Sequence, residues 1–300
     1  MDSASDIADR VKMAASVARL MRGVSLEATF PTRSELDATR QILPAGTQLY
    51  LSLPPSHAPA ELSGLATQVR MAGFEPIPHI AARALASRND ARDLLARLNG
   101  EAGVTRALVI AGDADQPAGP FADALAFIES GLFEGNGFAA IDIAGYPDGH
   151  PRISNVALAT ALTKKVDAIY GRGLSADIVT QFCFDGERVV AWLRQLRYLR
   201  VDVPVKLGMA GPASLRALLR YALKCGVRTV VKGARNAPAV QLLSESRPDR
   251  MLRTLSQITA LSTGSVTVHV FSFGGLVKTA HWVATMAAGE IASDSLESAV

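Results

Sequence analysis

The sequence Phe138-Ala139-Ala140-Ile141-Asp142-Ile143-Ala144-Gly145-Tyr146-Pro147-Asp148-Gly149-His150-Pro151 joins a mostly apolar run to a sharp turn. The run 138–143 predicts a buried strand, and the two prolines and two glycines that follow predict the turn. Tyr146 and His150 lie four residues apart in this turn. Functional side chains are commonly held this way, on a loop at the end of a rigid strand. The alternative is a polar loop whose proline and glycine residues serve only the turn.

The same alternation of apolar run and helical pattern recurs along the chain. Strands are predicted at 24–30, 48–53, 75–82, 106–110, 138–143, 177–184, 203–209 and 266–273, with prolines interrupting the third, and a helix follows each one. Strands that alternate with helices indicate a parallel β/α architecture, and eight such units match a TIM barrel. A doubly wound sheet is the competitor, but the first strand precedes Phe-Pro-Thr-Arg rather than a glycine-rich loop.

The domain prediction is a single-domain (β/α)8 TIM barrel with an extra N-terminal helix. Residues 1–22 would form the helix that packs on the barrel, and residues 23–300 would form the catalytic domain. The absence of a low-complexity segment or a long linker supports one domain in this chain of 300 residues.

Composition and charge exclude several classes of function. A net charge of +3, spread along the chain, argues against nucleic acid or a membrane surface as a partner. Cys183 and Cys225 form no C-x-x-C pair, so neither a metal site nor a disulfide framework is predicted, and a reducing cytoplasm is the expected location. No secretory signal and no run of 18 apolar residues is present, so no membrane span is expected.

Polar side chains at the predicted strand ends mark the candidate site, because TIM-barrel active sites lie at the C-terminal mouth. These residues are Glu27, Ser52, His79, Asp113, Tyr146, His150, Thr180, Gln181, Asp185, Lys206 and Ser272. No catalytic Ser-His-Asp order, H-E-x-x-H motif, metal-ligand cluster or Walker lysine accompanies them. We therefore favour proton transfer on an organic substrate with a bound cofactor over hydrolysis by a nucleophile.

Glu27 is the most informative of these residues. A carboxylate in a buried strand is costly unless it is paired or protonated, and burial raises its pKa into the range that suits a general acid. In the alternative, Glu27 points into the helical layer and pairs with Arg33. Asp113 could equally be a helix N-cap, His79 a satisfied core histidine and Gln181 a buried amide bonded to a neighbouring strand.

Six short motifs, taken in order, resemble the methylenetetrahydrofolate reductase family, the TIM-barrel flavoproteins of one-carbon metabolism. They are Val24-Ser25-Leu26-Glu27, Pro78-His79-Ile80, Gly112-Asp113, Tyr146-Pro147-Asp148-Gly149-His150-Pro151, Lys164-Lys165-Val166-Asp167 and Thr180-Gln181-Phe182-Cys183-Phe184-Asp185. They span most of the chain at nearly the family's spacing, and the length is similar to that of the short bacterial-type catalytic domain.

The resemblance implies reduction of 5,10-methylenetetrahydrofolate to 5-methyltetrahydrofolate, with FAD passing on the hydride of NADH or NADPH. It implies that Glu27 is the general acid and contacts the folate, that Asp113 tunes charge near the flavin, and that Gln181 binds the folate. It also implies a flavin site at Ser52, His79, Gly112, Asp113, Tyr146, His150, Lys164 and Lys165. No metal is implied. The last helix, with Trp282, could cover the barrel or form a contact in a homo-oligomer.

The chain departs from the family around the cofactor. Ala111 stands where the family has an arginine, Leu158 and Ala161 stand where it has an aspartate and an asparagine, and Gly274-Gly275 stands where a folate-contacting arginine is expected. FAD would then be bound through other contacts, such as Lys164, Lys165 or Arg172, or bound weakly.

Three alternatives therefore stay open. The first is a flavin-free reductase that uses NADH directly, and the second is a folate-binding paralogue without catalysis. The third is an unrelated lyase or aldolase, for which Lys206 or Lys232 would be the Schiff-base lysine.

Overall fold

Eight parallel strands close a barrel in chain order, which confirms the predicted (β/α)8 TIM barrel. The computed structural model describes residues 4–54, 56–224, 248–259 and 265–290. Each strand pairs in parallel with the next, and β8 pairs with β1. The strands are β1 Ser25–Thr29, β2 Gln48–Ser52, β3 Glu75–Ala81, β4 Arg106–Ile110, β5 Ala140–Gly145, β6 Ile178–Thr180, β7 Val205–Ala210 and β8 Val266–Phe271.

Helices surround the barrel. They are α1 Ala4–Leu20, α2 Arg33–Arg40, α3 Glu61–Met71, α4 Arg88–Ala102, α5 Ala124–Ile128, α6 Asn155–Tyr170, α7 Gly186–Tyr198, α8 Leu215–Lys224, α9 Pro248–Thr259 and α10 Leu276–Ala287. The extra helix α1 packs against α9, α10 and β8, and Val17 and Leu20 are buried there. The helix predicted near 238–245, together with Cys225 and Lys232, lies outside the described residues.

Side-chain caps fix where several helices begin, and so fix the loops at the barrel mouth. The Thr32 hydroxyl accepts a hydrogen bond from the Glu35 N–H, and the Glu35 carboxylate accepts one from the Thr32 N–H, which forms a capping box at α2. Asp123, Ser154 and Asp185 cap α5, α6 and α7 in a related way, each accepting a backbone N–H. The loops that follow β1, β4, β5 and β6 are therefore fixed where the next helix begins.

Every strand except β4 differs from its predicted limits, and β3, β5 and β6 show the differences that matter most. β5 continues through Gly145, so the first two residues of the expected turn belong to the strand. β6 ends at Thr180, four residues before its predicted end, although the Gln181 N–H still donates to the Gly145 carbonyl of β5. β3 is continuous through Pro76 and Pro78, and the prolines do not interrupt it.

The side chains inside the barrel form layers, and a small apolar layer lies between two polar layers. Tyr50, Ile77, Leu108 and Val179 come from four strands and pack together, separate from the large core under the helices. Polar side chains lie at both ends of this layer. No helix in the described ranges is long and apolar enough to cross a membrane.

Candidate active site

Glu27 lies inside the barrel, where neighbouring strands bring two histidines and a serine to its carboxyl group. Its Oε2 atom is 3.7 Å from His79 Nε2 and 3.6 Å from His269 Nε2. The Ser52 hydroxyl donates a long hydrogen bond of 3.4 Å to Oε1. Only 16% of the Glu27 side chain is exposed, so its charge is poorly hydrated.

The alternative orientation of Glu27 is wrong. The Arg33 guanidinium pairs instead with Asp37, at 2.9 Å and one helical turn away on α2. Glu27 is in register with Tyr50 of β2 and Phe271 of β8, whose side chains also face the barrel interior. The carboxyl group therefore belongs to the site rather than to the helical layer.

Burial sets the protonation of this cluster. It raises the pKa of Glu27, and this effect exceeds the opposing effects of His79 and the Ser52 hydrogen bond. Burial also lowers the pKa of His79, and it lowers the pKa of His269 to about 3. Both imidazoles are therefore neutral near pH 7, and Glu27 holds its proton more tightly than an exposed carboxyl does. The His269 Nδ1 atom is hydrogen-bonded to the Ser25 hydroxyl at 2.9 Å.

A buried ionic network lies towards the N-terminal ends of the strands. The Tyr50 hydroxyl donates to Asp142 at 2.5 Å, and the Arg106 guanidinium lies 2.5 Å from Asp142 and 3.2 Å from Asp177. The Lys206 amine is 3.1 Å from Asp177. A Schiff-base lysine needs a neutral amine, and an ion-paired Lys206 does not favour the aldolase alternative.

Tyr50 connects this network to the cluster around Glu27. Its ring meets the His269 ring edge-on at 4.7 Å and the His79 ring at 5.9 Å. Its hydroxyl is fixed below by Asp142. The two histidines therefore rest on a side chain that is itself hydrogen-bonded.

A cavity of ≈ 220 Å³ opens beside Glu27 at the ends of β1 and β8. We call Tyr221, Phe271 and Phe273, which line it, the aromatic wall. The Tyr221 and Phe273 rings stack at 4.2 Å with an angle of 14° between their planes. Three buried polar atoms of this region have no hydrogen-bond partner among the described residues: His79 Nε2, His269 Nε2 and the Ser272 hydroxyl oxygen.

A second cavity, of ≈ 780 Å³, lies at the ends of β4 and β5 and extends along α5, α6 and α7. Tyr146, Lys164 and Lys165 line it. Burial lowers the pKa of the Lys165 amine to about 8, although the nearby carboxylate of Asp123 opposes this shift. In α6 the side chains of Leu162, Val166 and Ile169 are buried, whereas Val156 in the first turn is 77% exposed.

The predicted site residues fall into two groups in the structure. Ser52 and His79 lie at Glu27, as described above. Tyr146 and His150 form the second group, with their rings edge-to-face at 5.4 Å. Burial and the charge of Arg152 lower the pKa of His150, and the Asp113 carboxylate opposes them only in part.

Asp113, Gly112 and Gln181 differ from the other predicted residues in their surroundings. Asp113 is exposed and does not cap a helix, because Asp123 is the N-cap of the next helix, α5. Gly112 has φ +90, and a Cβ there would approach the Ala81 Cβ to 3.0 Å, so the loop requires glycine. The Gln181 side chain accepts from the Phe182 N–H at 3.1 Å and makes no hydrogen bond to either group within the described ranges.

Sequence reasoning missed His269, Tyr50, Asp142 and Arg106. A signal existed for two of them, because His269 and Asp142 interrupt apolar runs in the same way that Glu27 does. No comparable signal marked Tyr50, since an aromatic residue in a strand is ordinary. Within the described residues, no group of three or more potential ligands could hold a metal ion.

Comparisons with known proteins assign no family to the chain. No family model matches the chain. Dihydropteroate synthase from Thermus thermophilus is similar with a TM-score of 0.46 and 16% identity, over 86% of this chain and 90% of that one. The apo form of a protein named as a deoxyribose-phosphate aldolase, from Toxoplasma gondii, is similar with a TM-score of 0.47 and 10% identity, over 95% of this chain and 100% of that one. Neither similarity assigns a family, a substrate or a reaction to this chain.

Proposed function

We propose that the protein reduces 5,10-methylenetetrahydrofolate to 5-methyltetrahydrofolate with NADH or NADPH, using bound FAD. The observation that carries the proposal is the buried Glu27 carboxyl, held between two neutral imidazoles beside a cavity with an aromatic wall. Such a group is suited to donate a proton near neutral pH. We infer the substrate from the motif resemblance. The geometry supports this inference, because opening the ring of that substrate needs a proton donor such as Glu27.

The residues of the chain account for opening of the substrate ring. Glu27 would donate its proton to a nitrogen of the five-membered ring, which breaks the bond to the one-carbon unit and leaves a cationic iminium. The Glu27 carboxylate that remains would stabilise this cation in a site of low dielectric constant. The aromatic wall offers stacking surface for a planar ring, and the unpartnered Ser272 hydroxyl, which also lines the cavity, offers a hydrogen bond to its polar edge.

The cavity at β4 and β5 fits a dinucleotide such as FAD. Its volume, ≈ 780 Å³, falls within the range of small-molecule sites. Lys164 and Lys165 would hold the phosphates, and Tyr146 and His150 would lie against the flavin rings. Ser52, His79, Gly112 and Asp113 do not line this cavity, so the flavin rings would have to extend from it across the barrel mouth to meet Ser52 and His79 beside Glu27. When bound, the flavin would accept a hydride from the nicotinamide and deliver it to the one-carbon unit.

A flavin-free reductase is the second candidate, and the lining of the same cavity favours it. Ala111 gives the cavity no cation at the end of β4, and Leu158 and Ala161 present apolar groups on α6. The Arg83 guanidinium also lines the cavity, but it already donates hydrogen bonds to the carbonyl groups of Ala114 and Ala122. In this candidate the cavity would receive the nicotinamide dinucleotide directly, and the chemistry at Glu27 would be the same.

The absorption spectrum of the purified protein, measured together with its activity, tests both candidates. With FAD bound, the protein should be yellow, with a band at about 450 nm, and it should consume NAD(P)H only when methylenetetrahydrofolate is present. A colourless protein with the same activity would refute the flavin and support the second candidate. A protein that binds 5-methyltetrahydrofolate but never oxidises NADH or NADPH would refute both and identify a folate-binding protein.

A further inference from the structure

The cavity beside Glu27 is poorly matched to one part of a folate, its anionic tail. A folate ends in a glutamate with two carboxylates, whereas the acidic side chains that line this cavity are Glu27 and Glu35. No lysine or arginine is among its described lining residues. Carboxylates of the tail would therefore meet no cation at the cavity itself and need one outside it.

The end of β8 cannot provide that cation. A Cβ at Gly274 would lie 2.1 Å from the Pro212 carbonyl oxygen, so no side chain fits there. Gly275 has φ +106, a backbone conformation that residues with side chains rarely adopt. The two glycines therefore keep this rim of the cavity free of any side-chain charge.

A cation does reach the aromatic wall from α8. The guanidinium carbon of Arg220 lies 5.1 Å from the centroid of the Tyr221 ring, and that ring stacks on Phe273. Arg220 is exposed, and no carboxylate of the described residues pairs with it. Arg216 lies one turn earlier on a helix whose sequence contains no acidic residue. Like charges at this spacing repel weakly, and an anion between them would relieve the repulsion.

We propose that Arg220 binds the glutamate carboxylates of the folate substrate. The planar ring would lie at the aromatic wall beside Glu27, and the tail would leave the cavity along Tyr221 towards α8. A guanidinium can bind a carboxylate through two parallel hydrogen bonds, which makes Arg220 a residue for substrate binding rather than for the chemistry. The inference rests on the proposed function, because it takes a folate as the substrate.

The test compares two substrates that differ only in the tail. 5,10-Methylenetetrahydrofolate carries the glutamate, and the primary amide of 5,10-methylenetetrahydropteroate replaces it with an uncharged carboxamide. The Arg220→Gln variant should raise KM for the first by about two- to fivefold, the range expected for one exposed charged pair. It should leave kcat for that substrate and KM for the second unchanged. Arg220→Lys keeps the charge and should recover part of the lost affinity.

Two other exposed cations provide controls. Lys278 follows the cavity-lining Leu276 by two residues, and Arg194 lies on α7. Lys278→Gln and Arg194→Gln should leave KM for both substrates unchanged. The inference would be overturned if Arg220→Gln raised KM equally for both substrates or did not raise it at all. It would also be overturned if Lys278→Gln raised KM to a similar extent. Failure of the wild-type protein to reduce either substrate would instead overturn the proposed function.

Discussion

Replacing Glu27 with glutamine should remove most of the activity without unfolding the protein. Glutamine has nearly the same shape and can still bond to Ser52, but it cannot donate a proton. The neighbouring imidazoles cannot substitute, since burial holds the pKa of His269 at about 3 and also lowers that of His79. General acid catalysis contributes about 10²- to 10⁴-fold. We therefore expect kcat to fall by at least about 100-fold, equivalent to about 2.7 kcal/mol of transition-state stabilisation.

The same substitution should leave the free energy of unfolding within about 1 kcal/mol of wild type, because no buried charge loses a partner. The raised pKa of Glu27 also fixes the sign of a pH effect. The folded state binds this proton more tightly, so wild-type stability falls as pH rises from the ordinary carboxyl pKa of 4.5 through the raised one. The rate should fall over the same rise in pH, and Glu27→Gln should lose both dependences.

Asp142 provides a matched control for Glu27, because both are buried acids inside the barrel. Asp142→Asn leaves Arg106 without its closest carboxylate and should cost about 3–5 kcal/mol of stability. The folded fraction should keep a kcat close to wild type. NAD(P)H oxidation and urea unfolding followed by tryptophan fluorescence measure the two quantities. A Glu27→Gln variant with near wild-type kcat would refute the assignment of the acid.

Two further predictions concern the larger cavity. The affinity for the dinucleotide should fall as pH rises above about 8, where the Lys165 amine loses its proton, and equilibrium binding to Lys165→Met should be weaker and lack this dependence. Equal pH profiles would contradict it. Gly145→Ala should cost about 1–3 kcal/mol of stability in urea unfolding, since its Cβ would lie 2.9 Å from the Trp192 ring and 2.8 Å from Ile178. Gly173→Ala is the control for backbone strain, because Gly173 has φ +71 and no atom lies near its added Cβ. Its cost would therefore come from strain alone and not from crowding.

The fold was predictable because each β/α unit repeats the same hydrophobic pattern. The period of the apolar residues separates strands from helices, and their alternation requires parallel strands. The limits were less predictable, because hydrogen bonds between distant segments set them. The short extent of β6, for example, is the extent of its pairing with β5 and β7, which come from other parts of the chain.

The site was predictable in part. Glu27 and His79 stand out because a charged or titratable residue in an apolar strand needs a reason to be there. His269 and Tyr50 approach them only when the barrel closes and places β8 and β2 on either side of β1. Likewise, the stacking of Tyr221 on Phe273, which brings the neighbouring Arg220 to the aromatic wall, depends on the packing of α8 near the end of β8, which no local pattern reveals.

The central claim is that this chain converts methylenetetrahydrofolate to methyltetrahydrofolate. The most direct test incubates the purified protein with 5,10-methylenetetrahydrofolate and NADH or NADPH, without oxygen, and quantifies both products by mass spectrometry. The account predicts one 5-methyltetrahydrofolate formed for each nicotinamide oxidised, and almost none with Glu27→Gln. Unchanged substrate and unoxidised NADH and NADPH after prolonged incubation, with or without added FAD, would contradict it.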